Sequence, residues 1–206
     1  YAAVCDYKTG SPKLSLNEIM EGLSLQLITY LLALSKTKST KDLLPAAMMY
    51  IYLHGRPKSI SVPPNGIPHA KEKENTNGIF LNDPDVLRTL DSQSGTDDGF
   101  IGVSYVKDGS VKKTSPVLTA EEFEALKALT EKTLIRLYSR LESGEIAIHP
   151  VKNGTLSPCS YCPYRSICRF DPALPENSFD YISKVSDKTI REKLDEEMKR
   201  TRKENL

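Results

Sequence analysis

The opening stretch constrains this chain's fold more than any other: "YAAVCDYKTG", then "SLNEIMEGLSLQLITYLLALS", then "AAMMYIYLH". The first and last pieces are apolar and strand-like. The middle piece begins with Ser15 and Glu18 at the spacing of a capping box. Leu16, Met20, Leu23, Leu27, Leu31 and Leu34 follow at steps of 4, 3, 4, 4 and 3, which predicts one amphipathic helix to about Ser35. Two strands joined by one helix form a βαβ unit, which favours a parallel pair and an α/β domain.

With 206 residues the chain can build one substantial core. Lys and Arg number 28 against 27 Asp and Glu, so the formal net charge of +1 argues neither for nor against a nucleic-acid partner. No apolar run reaches the length of a membrane span, so no membrane partner is expected. Tyr1 falls directly before a strand-like run, and the chain is expected to be a piece of a longer polypeptide.

Further along, residues 58–78 are polar and rich in Pro, Gly and Asn, and read as a long surface loop. "GIFLNDPDVLRTLD" predicts a short strand and a helix, "SQSGTDDG" a loop, and "FIGVSYVKDGSVKK" a hairpin around Asp108 and Gly109. The clearest helix starts at a second capping box, Thr119 with Glu122, and ends at Gly144. Phe123, Leu126, Leu134, Leu137 and Leu141 are expected along one face. "EIAIHP" is expected as a short edge strand. The charged terminal helix carries a single apolar stripe, Ile190, Leu194 and Met198. These signals divide the chain into a core over 1–150, a cysteine-rich segment over 151–175 and a polar tail over 176–206.

Chemistry concentrates in two places. In "CDYKTG", residues two apart share a strand face, so Asp6 and Lys8 point one way while Cys5 and Tyr7 point the other, Cys5 into the core. A carboxylate beside an ammonium at a strand end suits metal-assisted phosphodiester hydrolysis; the alternative is a surface ion pair of little consequence. Glu18, Gly22, Gln26 and Tyr30 lie at i+4 steps on one ridge of the predicted helix. Gln26 and Tyr30 thereby face that strand end, and Gly22 lets helix and sheet approach closely. Their alternative is a solvated glutamine and a tyrosine edging the core.

The second place is "PCSYCPYRSIC". Cys159 and Cys162 form a C-x₂-C hook, with Cys168 behind them. Such spacing converges thiolates on zinc or an iron–sulfur cluster. Zinc accepts a histidine, and His149 lies upstream; a cluster more typically takes a fourth cysteine. Cys5 reads as a small buried hydrophobe. His54 and His69 are expected at the surface. Tyr161, Tyr164, Arg165 and Arg169 suit either DNA contacts or packing around the centre.

Taken together, "VCDYKTG", "MEGLSLQLITYLLAL", "GIFLNDPDVLRTLD" and "GEIAIHP…PCSYCPYRSICRFD" closely resemble the C-terminal nuclease domain of the B-type subunit of bacterial ATP-dependent helicase–nucleases, the AddAB or RexAB type. The resemblance runs from about residue 1 to about residue 190. It implies a restriction-endonuclease-like PD-(D/E)XK core, N-terminally truncated here, with a cysteine-rich [4Fe–4S] staple. Asp6 then matches the acidic Mg²⁺ ligand, Tyr7 supplies a carbonyl to the metal, and Lys8 is the motif lysine. Gln26 and Tyr30 match the Q-x₃-Y element.

By the same resemblance, Cys159, Cys162 and Cys168 match the last three cluster ligands, and the fourth cysteine precedes the nuclease core. The family also places an aspartate on a preceding strand, which these residues do not include. The 206 residues alone are therefore expected to be inactive or nearly so, with the cluster absent, labile or replaced by zinc. The implied whole is a bacterial cytoplasmic exonuclease that processes double-strand-break ends for recombinational repair. It cuts the strand ending 5′. Its implied partners are single strands and duplex ends of DNA, together with the A-type helicase–nuclease subunit. The rival readings are a non-catalytic DNA-end-binding scaffold and a stand-alone CRISPR-associated exonuclease.

Overall fold

The computed structural model describes residues 1–10, 12–53, 76–96, 99–175 and 177–204. His54, His69 and the expected loop up to residue 75 lie outside the described residues.

Four strands form the central sheet, in the order β1 (Ala2–Lys8), β2 (Pro45–Tyr52), β3 (Thr76–Leu81), β4 (Val117–Leu118). The expected parallel pairing of β1 with β2 is present, β3 runs antiparallel to β2, and β4 parallel to β3. β2 is the most buried strand because helices and loops cover both its faces. Met48 and Tyr50 pack towards one core with Leu27, Ile28, Phe123 and Leu126. Ala47 and Met49 pack towards a second, with Phe80, Leu87, Ile101 and Val103. Its near-continuous apolar sequence reflects that double burial.

The helix expected from Ser15 to Ser35 is two helices, α1 (Leu16–Met20) and α2 (Gln26–Lys36). Gly22 breaks it. At φ +84 Gly22 takes the left-handed conformation, its N–H donates to Ile19 O at 3.0 Å, and Leu23 N–H donates to Glu18 O at 2.8 Å. That pair of bonds is the Schellman helix stop, which glycine adopts without a Cβ penalty. The Ser15 capping box does not form either: Ser15 makes no side-chain cap, and Glu18 instead accepts from Ser24 Oγ at 2.9 Å.

Asp83 caps α3 (Pro84–Leu90) by accepting from the N–H groups of Asp85 and Val86. The hairpin at Asp108 and Gly109 reduces to an isolated bridge between Tyr105 and Val111. The Thr119 capping box is complete and opens α4 (Ala120–Glu142), with Gly144 at φ +72 just beyond its end. Only the first half of the expected α4 face is buried. Phe123 and Leu126 are fully covered, while Leu137 and Leu141 are exposed, because the helix outruns the sheet beneath it.

"EIAIHP" forms no ladder; the strand begins after it, as β5 (Val151–Lys152), which pairs parallel with β6 (Asp180–Tyr181). Between them lie a 3₁₀ turn at Pro158–Ser160 and α5 (Arg165–Cys168). The last helix, α6 (Asp187–Glu204), packs on α4 through the expected stripe, with Ile190 and Leu194 buried in the main core. Arg191 of α6 also reaches Glu122 of α4 at 2.6 Å. Among the described residues no helix is long and apolar enough to cross a membrane.

Candidate active site

β1 is the outer strand of the sheet, and its pleat orders the site. Val4, Asp6 and Lys8 turn to the face covered by α2 and α4, while Ala3, Cys5 and Tyr7 turn to the other. The expected parity of Asp6 and Lys8 is therefore present, but Cys5 does not enter a core. It is exposed, since the second core lies under β2 and β3 and does not extend beneath the sheet edge. Partial burial still pushes its thiol pKa up.

The four side chains singled out from the sequence form one connected polar group. Lys8 Nζ stands 2.5 Å from Asp6 Oδ2. Lys8 also donates to Gln26 Oε1 at 3.2 Å, and Gln26 Nε2 donates to Tyr30 Oη at 3.2 Å. Gln26 and Tyr30 share a helix face because they are four apart on α2. Gly22, the third residue of the expected ridge, acts differently. Its position opens towards Thr133 of α4, not towards the sheet, and its part is to stop α1 so that α2 restarts at Gln26.

Asp6 Oδ2 is buried and accepts no well-directed hydrogen bond. The Lys8 ammonium already takes up this oxygen's charge in a close ion pair, and the Asp6 side chain is only partly buried. The same contact raises the Lys8 pKa: the Asp6 carboxylate favours the ammonium and outweighs partial desolvation. Backbone alternation places the second expected donor. Lys8 O accepts from Leu53 N–H beside β2, so the carbonyl of Tyr7, one residue earlier, points to the open sheet edge. Asp6 and the Tyr7 carbonyl are the two oxygen donors here that could hold a divalent cation, with Lys8 beside them. Among the described residues no three His, Cys, Asp or Glu side chains gather to complete one.

Sequence reasoning missed Tyr50. It pairs with Asp6 across the β1–β2 ladder, is 4 % exposed, and carries the Lys8 ammonium 5.0 Å from its ring centroid. Burial raises its phenol pKa, and Lys8 opposes that rise. The available signal was the parallel pairing itself, which sets a polar-tipped aromatic of "MMYIY" beside Asp6 once the register is known.

The cysteine segment is not assembled. Cys159 and Cys162 are half-buried and Cys168 is exposed, all as free thiols. No three ligand-type side chains converge there among the described residues. His149 Nδ1 instead lies 3.0 Å from Ser178 Oγ. Tyr161, Tyr164, Arg165 and Arg169 are exposed and do not pack around a centre.

An edge strand bearing D-x-K, followed by a helix bearing Q-x₃-Y, meets in one connected polar group around the Asp6–Lys8 ion pair. The PD-(D/E)XK nuclease superfamily model matches residues 1–169, and the chain belongs to that superfamily. It is similar to proteins named as the B subunit of an ATP-dependent helicase/deoxyribonuclease. The relative from Clostridium kluyveri is 34% identical over 92% of this chain, and that from Desulforamulus reducens 32% over 92%. The Bacillus subtilis relative is 33% identical, again over 92%. The chain spans 17% of the length of each of these relatives.

Proposed function

We propose that this chain is the nuclease domain of a Mg²⁺-dependent DNA exonuclease that processes double-strand-break ends. Within a helicase–nuclease complex of the bacterial cytoplasm it would cut the strand ending 5′, beside the complex's A-type subunit. One observation carries the reading: the Asp6–Lys8 pair at the sheet edge, joined through Lys8 to Gln26 and Tyr30 in one connected polar group.

Asp6 and the Tyr7 carbonyl would hold the metal ion, which supplies Lewis acidity to the phosphate and acidifies the attacking water. Lys8 is close enough to the same carboxylate to neutralise charge that builds on the phosphate. Gln26 is a positioning residue: its Oε1 holds the Lys8 ammonium, and its amide in turn orients the Tyr30 hydroxyl. Both Gln26 and Tyr30 are exposed, so substrate can reach them. A [4Fe–4S] centre at Cys159, Cys162 and Cys168, closed by a fourth cysteine from outside residues 1–206, belongs to the proposal as a structural tie. It takes no part in the chemistry.

The rival scaffold reading draws on the absence of a third acidic or histidine ligand among the described residues. Cleavage of end-labelled linear duplex DNA separates the two. The assay uses protein with the preceding acidic strand supplied, kept free of oxygen. The nuclease reading expects Mg²⁺-dependent cleavage that Asp6→Ala abolishes while binding to DNA ends persists. It also expects the 206 residues alone to cut little or nothing. Cleavage that is absent throughout, or indifferent to Asp6→Ala, leaves a scaffold.

A further inference from the structure

We infer that a furrow beside the proposed catalytic group binds the sugar–phosphate backbone of a single DNA strand through Lys13, Lys113 and Lys184. This rests on the nuclease reading above and extends it to the path of the substrate. The furrow has a volume of about 490 Å³ and lies between α1, the segment before β4 and the start of α6. That is the size of a pocket for a nucleotide-scale ligand, too small for a duplex.

Three segments far apart in sequence bring these lysines together, and each segment is pinned. Tyr52 Oη donates to Pro12 O at 2.6 Å, and Leu14 N–H donates to Asn77 Oδ1 at 2.5 Å, so the backbone on either side of Lys13 is tied to the sheet. Ser115 Oγ accepts from Ser104 N–H at 3.0 Å and holds the stretch after Lys113. Asn17 of α1 donates to Ser183 O at 3.2 Å and accepts from Val185 N–H at 3.4 Å, one residue to each side of Lys184.

The lysines themselves make no ion pair among the described residues, in contrast to Lys8, Lys36, Lys127 and Lys132. The other charges of the lining do not cancel them. Arg191 is engaged by Glu122 and by Val117 O, and the Glu18 carboxylate is turned to Ser24 and Asn153, so Glu18 and Asp187 stand against three ammonium groups and the lining keeps a net positive charge. Ammonium groups held on a fixed backbone, without carboxylate partners, are what a track for phosphates requires.

The furrow lies two strands across the sheet from the catalytic group. Asp6, Tyr50 and Asn77 are register partners across β1, β2 and β3, so they stand in one row on one face. Asn77 lines the furrow, two strand spacings from Asp6, or about 10 Å. A strand with its scissile phosphate at Asp6 and Lys8 would pass around the buried Tyr50 to lay phosphates further along it on the lysines.

The test is fluorescence anisotropy of a labelled short oligothymidylate bound to the 206-residue chain in EDTA, over a series of salt concentrations. Wild type is compared with the combined Lys13→Ala, Lys113→Ala, Lys184→Ala variant. A second variant carries the same charge change at exposed sites elsewhere, Lys38→Ala, Lys107→Ala and Lys199→Ala. Loss of three phosphate contacts should flatten the plot of log affinity against log salt by about 2 and weaken binding at low salt at least about tenfold. The control variant should keep the wild-type slope. Equal slopes for the two variants overturn the furrow.

The readout is binding without metal, so the two proposals fail separately. Binding through these lysines, with no cleavage even when the preceding acidic strand is supplied, keeps the furrow and loses the nuclease. A chain that cuts, with its salt slope unmoved by the three substitutions, does the reverse.

Discussion

Gly22→Ala isolates the turn on which the candidate site depends. Gly22 sits at φ +84, where a side chain meets its own backbone, and non-glycine residues pay about 1–2 kcal/mol for that conformation. A Cβ there would lie 3.4 Å from Thr133 Cγ2, an ordinary contact, so crowding adds little and the backbone term sets the magnitude. Urea unfolding should therefore show a loss of about 1–2 kcal/mol with an unchanged m-value. Gly109 is the matched control. It has the same φ of +84, with nothing within 4 Å of its added Cβ, and lies in a distant turn. Gly109→Ala should cost a similar amount.

The two variants should part in function. The turn at Gly22 sets where α2 begins, and α2 begins at Gln26, so relaxing the turn displaces the side chain that holds Lys8. Gly22→Ala should lower Mg²⁺-dependent cleavage several-fold where Gly109→Ala does not, and Gly22→Asn should recover part of it, because asparagine tolerates the left-handed region. Unchanged stability in Gly22→Ala would refute the strain argument. Equal loss of cleavage in both alanine variants would refute the positioning argument.

Two further substitutions test the core. Leu194 is fully buried between α6 and α4, so Leu194→Ala should cost about 3 kcal/mol in urea unfolding, a loss that a merely appended tail would not show. Gly78→Ala places a Cβ 2.5 Å from Met49 Cβ and 2.7 Å from Met48 O, neither of which is a flexible chain end. Destabilisation of about 3 kcal/mol or more, or failure to accumulate as folded protein, is expected by circular dichroism.

Much of the site was legible before any coordinates because its signals are local. Strand parity alone set Asp6 and Lys8 on one face, and the four-residue spacing alone joined Gln26 to Tyr30. The capping box at Thr119 and the stripe of Ile190 and Leu194 were equally local, and both formed as expected. The failures have two causes, competition for a side chain from other groups and a local glycine stop that the leucine repeat masks. Ser15 and Glu18 have capping-box spacing, but Glu18 is taken by Ser24 and by Asn153, 135 residues away. The leucine repeat runs through Gly22 without a break, yet the chain stops its helix there.

Sequence by itself determined the main strands and helices and which side chains within each share a face, because pleat and helical pitch are properties of short stretches of backbone. Tertiary structure decided what covers each face. Cys5 is exposed because β1 lies at the edge of the sheet, and Tyr50 joins the site because β2 pairs with β1 in that register. Tertiary structure likewise brought Lys13, Lys113 and Lys184 to one furrow and left the three clustered cysteines apart. No spacing rule encodes these outcomes, since each is set by contacts between segments far apart in the chain.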